Sequence, residues 1–311
     1  MQIEMVSIEN LVAENHPYRK LKKSLDFEKI IKSADLKKAE TGATGYSKER
    51  LLLCLILQFM EDSSDREFER FMSENNAGKW FCNFGILEKT PDFTSFCVFR
   101  KSIGTEKVKQ IFDEVKSQLK AKGYCKEIYT FVDASALISK LQMWEERDEA
   151  IKAGYEKLNN ENIEKFSTDK DARIGSKGKN KFWYGYKKHA AVDTQSGLIT
   201  DVAVTPANVT DGKGVEQVLP NSGAVLGDKG FIETIPAILA KGLHPMIILK
   251  NNMKNKIKEF DKWVTKLRAP YERIFSKQNK RVRYKGTDKN QFSELLYAIA
   301  FNFKRLLILE S

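Results

Sequence analysis

Through the first 125 residues, apolar positions recur at three- and four-residue intervals, the spacing of one helix face. Ser47 is placed to cap a helix through Leu51, Leu55 and Phe59, and Ser64 to cap one carrying Phe68 and Phe71. A third helix begins near Thr94 with Phe96, Phe99 and Ile103. A fourth, from Glu106 to Lys122, carries Val108, Ile111, Phe112 and Val115. Short polar or Gly-containing connections separate them, as in a small helical bundle with room for a helix-turn-helix unit.

The pattern changes near Tyr124. Ile128 to Val132 reads as a strand that ends at Asp133, and residues 144–180, rich in charge, read as an exposed insertion or mobile loop. FWYGYKKHAAVD and LITDVAVTP then form two strands around the turn Asp193 to Gly197. Helix is expected over Asp211 to Leu219, strand over Ala224 to Gly227, helix over Ile232 to Lys241 and strand over Met246 to Lys250. Pro270 fits the first turn of a further helix. Phe292 to Leu309 has helical spacing in Leu295, Leu296, Ile299, Phe303 and Leu306. A hairpin followed by alternating strands and helices implies an α/β (α+β) fold: a ribonuclease-H-like mixed sheet flanked by helices, behind an all-α N-terminal domain. The expected boundaries are 1–125 and 126–311.

Composition adds direction. The chain of 311 residues is 41% hydrophobic and 31% charged, which describes a globular protein with ample core. Its longest apolar run, Leu51 to Leu57, is too short to cross a bilayer, and the start MQIEMVSIEN has no secretory pattern, so a cytoplasmic, nucleoid-associated protein is expected. Cys54, Cys82, Cys97 and Cys125 lack metal-ligand spacing and read as buried reduced thiols. The net charge is +11, and Lys250 to Lys289 holds 14 Lys/Arg against 4 Asp/Glu, interleaved with Tyr271, Phe275 and Tyr284. That is a plausible footprint for nucleic-acid phosphates, although a segment of this kind standing alone is more often a solvated basic face.

Two carboxylates stand where strands are expected to leave the sheet: Asp133 after IYTFV and Asp228 after GAVLG. Aspartates on neighbouring strands are hard oxygen ligands of limited freedom, suited to divalent metal and phosphoryl chemistry. Glu272, in RAPYERIFSKQNKR, is the candidate third acid, with Pro270 placing it in a first helical turn. Arg273, Lys277 and Lys280 are spaced to share a face that grips backbone phosphates. Each has a plainer reading: the aspartates as turn or helix caps, Glu272 as a partner of Arg268. His16, His189 and His244 lie far apart and read as structural, with His189 the one nearest to lining a site. No Ser/His/Asp order supports a hydrolase.

Taken in order, the strings ENLVAENHPYRKLKKSLDF, TPDFTSFCVFRKSIG, FVDAS, DARIGSKGKNKFWYGYKKHAAVD, TPANVTDG, LGDKGF and RVRYKGTDKNQFSELLYAIAFNFKRLL resemble bacterial insertion-sequence transposases of the DDE class. The resemblance is to the insertion-sequence-five group with an InsH-like N-terminal domain. It implies a ribonuclease-H-like catalytic domain whose acidic triad is Asp133, Asp228 and Glu272, holding two Mg²⁺ ions, with Mn²⁺ able to substitute. It implies cutting of element ends and joining of the 3′-OH to target DNA. The implied partner is double-stranded DNA, as terminal inverted repeats and target, bound by a homodimer, with no membrane role. The pattern after the second acid is matched by Asp228, Gly230 and Phe231, and Arg268 precedes Glu272 with the family's gap. Thr265 stands at the family's tyrosine position and Asn279 at its lysine, with Lys280 one residue later. A catalytically impaired, transposase-derived DNA-binding protein is therefore the alternative.

Overall fold

The computed structural model describes residues 6–36, 45–139, 143–178, 180–253, 256–276 and 280–311, with the side chains of 268–276 outside that description. The chain divides into two compact units, one of residues 1–122 with 295–311 and one of 123–294.

The first unit is helical: α1 Ile8–Leu11, α2 Pro17–Ser24, α3 Phe27–Ser33, α4 Lys48–Met60, α5 Asp65–Glu74, α6 Asn76–Phe81 and α7 Phe93–Ala121. Local chemistry sets the ends. The Ser47 hydroxyl accepts from the Arg50 amide to start α4. Ser64 and Glu67 form a reciprocal capping box at α5. Asp92, two residues ahead of the expected Thr94, caps α7 through the Ser95 amide at 2.8 Å. The two helices expected over 94–122 are one run broken at Gly104, whose φ of 72° is open to glycine and costly to other residues. Helix α4 is buried nearly all round, from Leu52 to Gln58, so it is the centre of the unit rather than a one-faced surface helix. Cys54, Cys82 and Cys125 are buried as expected; Cys97 is exposed, its thiol 3.3 Å from the Asp65 carboxylate, because it lies off the α7 stripe of Phe96 and Phe99.

The second unit holds β1 Tyr129–Ile138, α8 Trp144–Lys152, α9 Ile163–Phe166, β2 Arg173–Lys177, β3 Lys181–Asp193, β4 Ile199–Pro206, α10 Asp211–Val215, β5 Ala224–Gly227, α11 Ile235–Ala240, β6 His244–Ile247, α12 Lys258–Ser276 and the first part of α13 Thr287–Leu309. The later part of α13, with Leu295, Ile299, Phe303 and Leu306 fully buried, belongs to the first unit. A boundary near 125 therefore leaves out a second division at 294–295, made because the apolar spacing of α13 serves both units.

The sheet order is β2-β3-β1-β5-β6, with β4 also on β3. β3 is antiparallel to β1, β2 and β4, while β5 is parallel to β1 and β6 to β5. β2 occupies the first residues of β3 and β4 the later ones. Gly185 sits at that change-over with φ 145°, and a Cβ there would lie 2.3 Å from the Leu137 carbonyl oxygen. One face of the sheet carries Val132, Ala191, Ala203, Val225 and Ile247 under α10 and α11. The other carries Leu137, Tyr184, Tyr186 and Val204, closed by Ile163, Ala172 and Val282. The Gln291 amide donates to the Val202 carbonyl at 2.9 Å and accepts from the Val204 amide at 2.7 Å, occupying the open edge of β4.

Two sequence expectations are corrected. Residues 144–180 are not a loose insertion: α8, α9 and β2 lie there, and Ala150, Ile163 and Ala172 are fully buried. Ser167, Tyr184, Asp169 and Tyr186 form a buried hydrogen-bonded group, with Tyr186 donating to Asp169 at 2.6 Å. Apart from Asp169, the charge of the segment lies on its outer side and masks these isolated inward positions. Pro270, secondly, does not begin a helix. It is in the interior of α12, which runs unbroken from Lys258, so Ala269 is helical and Arg268 shares a helix with Glu272. An apolar stripe through Phe260, Val264 (fully buried) and Leu267 carries the helix past a residue that would otherwise break it.

Candidate active site

β1 does not stop at Asp133. It continues to Ile138, and Asp133 is its fifth residue, half-buried and opposite Ala190 of β3. Asp228 immediately follows β5. The β1–β5 ladder pairs Tyr129 with Ala224, Thr130 with Val225 and Phe131 with Leu226. Two residues further along each strand stand Asp133 and Asp228. Side chains two apart in a strand share a face, and neighbouring strands are about 4.8 Å apart, so the two carboxylates start from adjacent points on one face. Val132 and Val225 point into the α10–α11 core, so the aspartates are on the opposite face.

Asp228 also has the plainer role weighed for it. It caps the 3₁₀ turn Lys229–Thr234, its Oδ1 accepting from the Gly230 amide at 2.7 Å. That bond fixes the carboxylate's direction and engages one oxygen; the residue is half-exposed, so the second oxygen can serve a cation. Gly230 is needed for closeness, since a Cβ there would lie 2.9 Å from Asp228 Oδ1.

Helix α12 lies beside β1 and is anchored near both ends. The Tyr129 and Trp263 rings meet edge to face with centroids 5.9 Å apart. Beyond the helix, the Ile138 amide donates to the Lys280 carbonyl at 2.6 Å and the Val282 amide to the Ile138 carbonyl at 3.0 Å. Chain direction in α12 therefore follows that of β1. From the Tyr129–Trp263 contact, Asp133 is four strand residues away, about 13 Å, and Glu272 is nine helical residues away, also about 13 Å. The placement of Glu272 in a first helical turn is corrected: it is the fifteenth residue of α12, so the helix N-terminus does nothing for its charge.

The basic candidates are spread along the same path. Arg268 and Arg273 belong to α12, Lys280 is exposed beside the end of β1, and Lys277, like Asn279, is outside the described residues. The Thr265 hydroxyl donates to the Asp261 carbonyl one turn back at 2.7 Å, so it is turned into the helix backbone. Among the described residues no three Asp, Glu, His or Cys side chains gather as a metal site; the described part of the candidate site is the Asp133–Asp228 pair.

His189 does not line this site. It is opposite Ala134, one residue off the aspartate's parity, and therefore on the α10 side of the sheet. It is fully buried, bonded through Nε2 to Thr205 Oγ1 at 2.8 Å, and capped by Gly214, where a Cβ would meet the imidazole at 2.1 Å. Burial lowers its pKa from 6.5 to about 4. A residue overlooked in the sequence is nearer: Lys188, opposite Ser135 and on the Asp133 face, is 3% exposed, its ammonium 3.3 Å from Glu294. Its neighbour Lys187 turns to the other face and pairs with Asp211 at 2.8 Å. The signal was two consecutive lysines inside an otherwise apolar strand, which alternation must bury on opposite faces.

Comparison with known families gives two matches. Residues 6–102 match a transposase domain, DUF772, and residues 151–303 match the transposase DDE domain. Together they cover about four fifths of the chain. Asp228 and Glu272 fall within the second match, while Asp133 precedes it. No curated protein and no solved structure matches the chain. The chain belongs to the DDE transposases of insertion sequences, enzymes that cut and join DNA with divalent metal ions on a ribonuclease-H-like fold. Among the described residues no helix is long and apolar enough to cross a membrane.

Proposed function

We propose that Asp133, Asp228 and Glu272 are the catalytic and metal-binding acids of this transposase, and that they hold two Mg²⁺ ions, for which Mn²⁺ can substitute. The observation that supports this most is the matched step of Asp133 and Asp228 on adjacent parallel strands. The common level of Asp133 and Glu272, reckoned from the Tyr129–Trp263 contact, supports the third member. The described donors fit the ions: Asp133 and Asp228 are half-exposed carboxylates held by their backbone, hard ligands of the kind Mg²⁺ selects. When bound, the ions offset charge on the attacking and leaving oxygens of an in-line displacement at phosphorus.

The chain's own part is to hold and aim. Asp228 is fixed by the Gly230 amide and Asp133 by the strand on either side, so neither carboxylate reorganises as the reaction proceeds. Arg268, Arg273, Lys277 and Lys280 grip backbone phosphates along α12 and beyond it, keeping the scissile bond in line. Water hydrolyses the phosphodiester at the element's end, leaving a 3′-OH. That hydroxyl then attacks a target phosphodiester, a new P–O bond replacing the one broken, with no covalent enzyme intermediate. Residues 1–125 supply preference for the terminal inverted repeats, and two copies pair the two ends.

A gel assay on end-containing duplexes tests this reading: cleavage and strand transfer with Mg²⁺ or Mn²⁺, and neither after Asp228→Asn. A second reading, a DNA-binding protein that no longer cuts, draws on Thr265, whose hydroxyl is committed to the Asp261 carbonyl rather than offered outward as a tyrosine would be. A parent protein that binds ends and never cuts them would establish that reading instead.

A further inference from the structure

We propose that the β2–β3 hairpin is a DNA-contacting ribbon that enters the major groove tip first, with Lys177 and Lys181 on backbone phosphates and Phe182 packed against sugars and base edges. This rests on the transposase reading and adds a contact surface outside the acidic site.

The tip has an electrostatic arrangement that the fold alone does not favour. Lys177 and Lys181 are directly opposed across the ladder, and like charges so placed, with Cβ atoms about 5 Å apart, repel. Both are exposed. From Arg173 to Trp183 the sequence has no acid, and neither lysine has an ion pair among the described residues. A polyanion relieves that repulsion, and a duplex offers phosphates on both walls of a groove. Next to Lys181, Phe182 is 67% exposed, whereas Tyr184 and Tyr186, which continue its row, are buried in the core of that face. The hydrophobic row thus runs out past its own core and ends on a bare ring.

Position argues for the same partner. Pairing of Ala190 with Asp133 puts residues 190, 188, 186, 184 and 182 on the Asp133 face. Phe182 therefore faces the side on which the reaction is proposed, and the lysines face the other. A two-stranded ribbon entering a groove about 12 Å wide presents its two faces to the two walls. Nine residues of β3 separate Ala190 from Lys181, about 30 Å, close to one turn of B-DNA at about 34 Å. Lys280, exposed beside Ile138, lies between these levels.

The test uses the full chain and a random-sequence duplex, with a second duplex carrying an element end. Lys177→Ala with Lys181→Ala should lower affinity by about tenfold or more at moderate salt and reduce the slope of log affinity against log salt by about 2, one per phosphate contact. Phe182→Ala should weaken binding by roughly tenfold with the slope unchanged, since stacking and apolar contact release no counterions. Guanine N7 protection from methylation about one turn from the cut should vanish in both variants. The side chains are exposed, and thermal melts matching the parent's would confirm folding. Parent-like slope, affinity and N7 protection in the variants would overturn the ribbon while leaving cleavage by the acidic site standing. Failure of the catalytic reading shows differently: the lysine variant would show the predicted slope change relative to a parent that binds and never cuts.

Discussion

Asp133 within β1 and Asp228, the residue that follows β5, each stand two residues past the last pair of the parallel β1–β5 ladder, Phe131 with Leu226. The relation is set by backbone pairing, so it does not depend on any side-chain torsion. It starts the two side chains from neighbouring backbone positions on one face, where carboxylates drawn together repel unless a cation stands between them.

Asp228→Asn should therefore abolish cleavage and strand transfer while leaving the fold intact. The asparagine oxygen still accepts from Gly230 in place of Asp228 Oδ1, so the cap survives and the melting temperature should stay within a few degrees. Binding to duplex DNA should hold or tighten, because a carboxylate facing phosphates is removed. Chelation of divalent ions should produce the same loss in the parent. Cleavage at the parent's rate by the variant would take Asp228 out of the mechanism.

His189 gives a pH prediction with a definite sign. Its pKa is about 4 folded, lowered by burial, with Lys187 also lowering it and Asp211 opposing, against 6.5 unfolded. The unfolded chain therefore binds the proton more readily, and stability present above pH 6.5 is lost as pH falls toward 4. By pH 5 the loss should be about 2 kcal/mol, approaching about 3 kcal/mol at the lower limit. Urea unfolding between pH 7 and 5 measures it. His189→Gln, which keeps an amide beside Thr205, should flatten this dependence, and an unchanged slope would assign it to other groups.

The sequence made the aspartates' strands legible because IYTFV and AVL are short apolar runs bounded by turn residues. It did not reveal that β1 continues through Ala134, Ser135 and Ala136, since half-buried small residues carry no strong β signal. Faces were harder still. Whether His189 lies with Asp133 or against it turns on a single step of register, and only the pairing of Ala134 with His189 decides. Residues 144–180 do not show their order in the sequence because Ile163 and Ala172 are isolated apolar inward positions in a charged window. Pro270 misled because local propensity was overridden by the buried stripe of α12. The basic segment 250–289 was visible as composition, but not that α12 runs alongside β1.

Pro270 should be a measurable weakness of that helix. It removes the hydrogen bond to the Lys266 carbonyl and crowds the preceding turn, an interior cost of about 3 kcal/mol relative to alanine. Pro270→Ala should raise hydrogen-exchange protection over 262–272 and increase thermal stability. A decrease in both would mean that the chain needs the proline's geometry there, and that α12 is not the continuous helix described.

The last prediction separates the two kinds of acid on α12. Asp261 lies near its start, on the sheet-facing side, with its carboxylate 3.1 Å from the Lys256 ammonium. It is two residues before Trp263, which fixes the level of Tyr129, and so about 16 Å short of Asp133 along the helix. Glu272 is at the level of Asp133 on the same reckoning. Glu272→Gln should thus lower cleavage by at least about a hundredfold, the scale expected when a group stabilising transition-state charge is lost. Asp261→Asn should leave cleavage near the parent's and show its effect in stability alone. Both variants should bind duplex DNA. If Asp261→Asn lost cleavage while Glu272→Gln kept it, the level argument would fail and the third acid would lie about three turns nearer the start of α12.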